Sequence, residues 1–181
     1  MVSINVDLPK TVIFALKLLL MKKLLILFLA FTLYACNDGD FDVPVFEFTK
    51  TVNKCGEYVL YITNTNKTEV LVLTLPPTAI DSIVSVQPLP ISTTVTATYR
   101  IFDVGITDNY FCQAIPPLEP KIIKELKADG GTVNITTTED LTNGVVTSYS
   151  HEITISKLSF NDGKERIYFE NFDFGVLTIK N

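Results

Sequence analysis

The chain has 181 residues, 47% of them hydrophobic, with a formal net charge of −5, one histidine, three cysteines and no tryptophan. A single histidine removes most of the material for Cys/His zinc sites and for a serine triad, and the acidic balance disfavours nucleic acid and anionic lipid as partners. The length suits one domain with a real core.

Lys22 and Lys23 open the first element, and residues 24–35 follow as an apolar run broken only by Thr32. At about 1.5 Å per residue such a helix reaches about 18 Å, short of a hydrocarbon core of about 30 Å, so it reads as a signal peptide and not as a permanent span. Extending the span back over residues 11–35 would bury Lys17, Lys22 and Lys23 at a cost on the order of 8 kcal/mol. Because Met21 begins a complete signal by itself, residues 1–20 are expected to be an upstream extension from a misassigned start.

Leu33-Tyr34-Ala35-Cys36 closes that run. It resembles the lipobox of bacterial lipoproteins, in which a leucine, a variable residue and a small residue precede an invariant cysteine. The resemblance implies that residues 21–35 are removed and that Cys36 becomes the N-terminus, carrying a diacylglyceryl thioether and an N-acyl chain. Membrane lipid is then the first expected partner, since each buried CH₂ contributes about 0.8 kcal/mol and several chains hold stably. Residues 36–42, with Asn37-Asp38-Gly39-Asp40-Phe41-Asp42, read as a short acidic tether. This patch is similar to the surface-display signal of Bacteroidota lipoproteins. Its alternating acids lack the remaining ligands and closing glutamate of a calcium loop, so no metal or cofactor is expected. Beyond residue 35 the chain holds 11 basic and 19 acidic side chains.

From residue 43 to 181 the apolar period is two, which predicts an all-β domain. The expected strands are 43–48, 57–63 and 69–75, the latter pair joined by an Asn64-Thr65-Asn66-Lys67 hairpin loop. In the third, Val70 and Val72 face one way while Leu71, Leu73 and Leu75 face the other, so it should be central and buried on both sides. Prolines at 76, 77, 88 and 90 bracket a short strand at 83–87, because proline cannot donate to a ladder. Residues 92–102 alternate as a half-buried strand, with Val95, Ala97, Tyr99 and Ile101 inward, and 103–120 is irregular. For 121–127 a strand is favoured over a helical turn, followed by a hairpin at Ala128-Asp129-Gly130-Gly131. Residues 132–138 make another strand, and Asn143-Gly144 is a strong two-residue turn. A long strand then runs from 145 to about 160, with His151 beside Tyr149 and Ile153 on its apolar face and a β-bulge after Lys157. Asn161-Asp162-Gly163 turns into two last strands, 166–170 and 172–180. About nine or ten short strands of this kind predict a single antiparallel β-sandwich, Ig-like or a similar Greek key, preceded by the helical signal peptide.

An envelope compartment is oxidising, so Cys55 and Cys112 are expected to form a disulfide. Closing a loop of about 57 residues would stabilise the fold by about 4 kcal/mol on a chain-entropy estimate. His151 is expected to be a packed sheet residue, and Glu139-Asp140 a solvated pair beside the Asn143-Gly144 turn. Tyr110 and Phe111, in the irregular loop, are the candidates for an exposed partner contact. Asp81-Ser82-Ile83 resembles the short O-glycosylation acceptor of Bacteroidota, which makes Ser82 a candidate modification site. Asn66-Lys67-Thr68 and Asn134-Ile135-Thr136 are formal sequons without weight in such a bacterium.

Cys55-Gly56, and Phe111-Cys112 ahead of Pro116-Pro117, together with the Asn-Asp-Gly-Asp run behind Cys36, are similar to the small lipoproteins of flavobacteria. The resemblance implies an outer-membrane, lipid-anchored protein, facing the surface or the periplasm. The expected role is non-enzymatic binding of another envelope protein or a glycan. The alternatives are a structural or assembly lipoprotein and a glycan hydrolase working through two distant carboxylates.

Overall fold

The computed structural model describes Lys22, Lys23 and residues 47–180 apart from 57, 116, 162, 164 and 165. The chain divides into two units, Met1–Asp40 and Phe41–Asn181. Of the first, only Lys22 and Lys23 are described, both helical. The expected upstream extension, the rest of the expected signal peptide, Cys36 and the expected tether, and residues 43–46 of the first expected strand lie outside the described residues. Among those described, no helix is long and apolar enough to cross a membrane.

The second unit is all-β. Its strands are β1 (Asn53–Cys55), β2 (Val59–Thr63), β3 (Glu69–Thr74), β4 (Ser85–Pro90), β5 (Thr96–Phe102), β6 (Ile122–Thr142), β7 (Val145–Asn161) and β8 (Arg166–Lys180). All pair antiparallel in one sheet of order β1-β2-β3-β5-β6-β7-β8, with β4 added on β6. The sheet curls on itself as a half-barrel, so the two layers expected of a sandwich belong to a single sheet.

The curl comes from β6. Its first part pairs with β5, from Ile101↔Lys124 to Thr98↔Lys127, and its later part pairs with β4, from Pro90↔Thr132 to Ser85↔Thr137. Between them lies Ala128-Asp129-Gly130-Gly131, where the register with β7 slips twice. The expected hairpin is therefore a bend inside one 21-residue strand, because bulges kink a strand and raise its twist without ending it. Gly131 sits at φ 135, and a Cβ there would lie 3.2 Å from the Leu158 Cα. Only glycine lets the bend pack this close.

Strand β4 corrects a second expectation, since Pro88 and Pro90 lie within it. The Ile91 N–H donates to the Gly131 carbonyl at 3.0 Å. Strand N–H groups alternate sides, so those at 88 and 90 would point away from β6, where a proline forfeits nothing. Likewise 166–180 is one strand and not two. Ile153 pairs with Gly175 and Thr154 with Asp173, so Phe174 is an extra residue, fully buried in the core.

The strand β3 is central and buried on both faces, as its pattern predicts. Leu71 and Leu73 join Leu60, Ile62, Ala97, Val133, Ile135, Ile153 and Ile155 in the main core inside the curl. Val70 and Val72 instead join Cys55, Tyr61, Phe102, Ile106 and Tyr110 in a second core on the outer face. Each buried Val, Leu, Ile or Phe side chain among them contributes about 1.5–3 kcal/mol of transfer free energy. Strand β7 also follows its pattern: Ile153, Ile155, Leu158 and Phe160 are buried, and Lys157, at φ 54, makes the slip between them.

The chain reaches β1 across the gap that the curl leaves. Phe48 bridges Asn64, the Thr49 N–H donates to the Thr63 carbonyl at 2.8 Å, and Thr51 bridges Val176 of β8 in parallel. Lys50 Nζ adds an exposed ion pair with Asp173 at 2.7 Å.

Candidate functional site

Cys55 and Cys112 are joined by a disulfide with Cα atoms 4.9 Å apart. The bridge ties the end of β1 to a short 3-10 helix, Tyr110–Cys112, in the irregular loop. It holds that loop as a lid over the second core. Tyr110 is consequently buried, edge-on to Phe102 at 5.1 Å and to Phe111 at 5.0 Å. Phe111 is half-buried, tilted on Tyr61 at 4.9 Å, with the Arg100 guanidinium 5.8 Å from its ring centre. The expected exposed aromatic pair is thus corrected: an uncovered β2-β3 face needs aromatic cover, and the disulfide delivers it.

His151 is a packed sheet residue, 1% exposed, with Nδ1 2.9 Å from the Thr137 Oγ1. Burial pushes its pKa below the ordinary 6.5, with Asp81 opposing that shift and Lys54 adding to it. Of the acidic pair, Asp140 accepts hydrogen bonds from the Ser148 and Ser150 hydroxyls at 2.9 and 2.8 Å, which ties the hairpin together. Ser82 is exposed on the loop before β4, where the Asp81 side chain caps the Ile83 N–H at 3.2 Å.

The recess that sequence reading missed is a polar cleft of about 240 Å³ on the outer face beside the second core. Thr49, Thr51 and Asn53 line one wall because residues two apart share a strand face. Tyr61 and Thr63 of β2 make the floor, and Lys67 and Asp108 meet at the mouth as an ion pair. The Tyr61 hydroxyl donates to the Asp108 carbonyl, and burial is the main cause raising its pKa. The cleft thus offers hydroxyl and amide groups, with its one cation and its acid already engaged with each other. Such a lining can donate and accept hydrogen bonds. Its threonines come from three separate segments, so spacing along the chain carried no signal of it.

Comparison with protein-family models, with curated proteins and with solved structures found no match to this chain.

Proposed function

We propose that this is a lipid-anchored envelope protein that binds a partner, another envelope protein or a glycan, rather than turning over a substrate. The observation that carries the reading is Leu33-Tyr34-Ala35-Cys36 behind a short apolar run, a lipobox that resembles those of bacterial lipoproteins. The Cys55–Cys112 disulfide supports an oxidising compartment. The polar cleft supports binding, and the burial of His151 against Thr137 supports a role without histidine acid–base chemistry. Detergent phase partition of cell extracts tests the reading. The native protein is expected in the detergent phase and a Cys36→Ala variant in the aqueous phase. Native protein in the aqueous phase would defeat it.

A further inference from the structure

Four large apolar side chains stand exposed in one stretch of chain, Ile115, Leu118, Ile122 and Ile123, and Leu118 is 93% exposed. A fifth, Val104, is also exposed and is held beside them. Asp103 accepts the Lys121 N–H at 2.9 Å through its side chain and donates its own N–H to the Lys121 carbonyl at 3.0 Å. The stretch is clamped at both ends, by this pair and by the Cys112 disulfide. It is therefore presented at low entropic cost.

The described domain begins at this same end. Glu47 and Asn66 line one recess, Phe48 bridges Asn64, and the Ile106 N–H donates to the Lys67 carbonyl at 3.0 Å. A Cβ on Gly105 would lie 2.5 Å from the Asn66 carbonyl oxygen, which sets Val104 one residue from the loop that receives the incoming chain. Phe48 lies twelve positions after Cys36, about 40 Å at full extension. With Cys36 acylated, Phe48 is kept within that distance of the bilayer, and the domain at high effective concentration there.

We infer that the lipid bilayer covers this end of the domain: Ile115, Leu118, Ile122, Ile123 and Val104 insert shallowly at the interface, with Lys124 and the Lys121–Glu119 ion pair at head-group level. The inference rests on the lipid-anchored reading and adds an orientation to it. Side chains of this kind gain by leaving water, and lysine stems reach back to the head groups.

The chain has no tryptophan, so one introduced indole is a clean depth reporter. Lipidated full-length protein carrying Leu118→Trp, Ile123→Trp or, at the far end of β6 and β7, Val145→Trp is reconstituted into phosphatidylcholine vesicles with brominated acyl chains. Vesicle flotation is read alongside. The expected result is flotation of all three, with emission lost at positions 118 and 123 and kept at 145. Flotation with emission kept at 118 and 123 overturns the inference and leaves the anchor standing. Failure to float overturns the anchor and the inference with it. A photocrosslink in cells from position 118 to an envelope protein, with no quenching in vesicles, assigns the face to protein and also overturns the inference.

Discussion

Thr51 bridges Val176 in parallel, the one contact of its kind among antiparallel pairings in the described residues, and through it the edge that begins the sheet meets the edge that ends it. The bridge exists because Gly175 beside it has no side chain: a Cβ there would lie 2.8 Å from the Lys50 carbonyl oxygen.

Gly175→Ala should therefore loosen the closure. The residue sits at φ 128, and a non-glycine residue held in such a region costs about 1–3 kcal/mol before the clash is counted. The urea midpoint should fall by a corresponding amount, with new proteolytic cleavage near residues 48–52. An unchanged midpoint would mean that the curl does not depend on this contact.

Replacing both Cys55 and Cys112 by serine should cost about 4 kcal/mol, from the loop that the disulfide closes. The lid would also be released, so Tyr110 and Phe111 should gain acrylamide-accessible or near-ultraviolet signals of solvent exposure before global unfolding. Equal stability of the oxidised parent and the double variant would deny the lid its fastening.

Acid should weaken the fold through His151. Burial lowers its folded pKa below the ordinary 6.5, so between the two values the unfolded chain binds more protons and stability rises with pH. The contribution is intact above about 6.5 and is lost as pH falls below that value toward the folded pKa. His151→Gln should flatten this part of the profile of urea midpoint against pH. A profile from pH 5 to 7.5 that is the same in both proteins would rule out the histidine as its source.

Pro88 and Pro90 blank the outer edge of β4. Replacing both by valine restores two outward N–H groups on an exposed strand. Stability should change little, while light scattering after size exclusion should show larger species that grow with concentration. A variant that elutes like its parent at all concentrations would show that this edge is protected by something else.

Much of the domain was legible because side-chain alternation is local. Leu71 and Leu73 against Val70 and Val72 declared a strand covered on both faces, Asn143-Gly144 declared its turn with φ values of 53 and 79, and His151 fell among the apolar residues of its strand. The failures share a cause. Gly130-Gly131 looks the same whether it ends a strand or bends one, and what decides is which partners, β5 and then β4, wait along the edge. Pro88 and Pro90 read as strand breakers until it is known that, among the described residues, β4 pairs only with β6. Tyr110 read as exposed because its cover, the naked outer face of β2 and β3, is more than thirty residues away in sequence. The cleft, built from threonines of separate segments, has no footprint in any one window.

The anchoring claim is tested most directly by the mass of the protein's own N-terminal peptide, isolated from membranes after proteolysis. A peptide that begins at Cys36 and carries a diacylglyceryl group and an N-acyl chain is the predicted result. A peptide that runs through Ala35 into an unmodified Cys36 would contradict it.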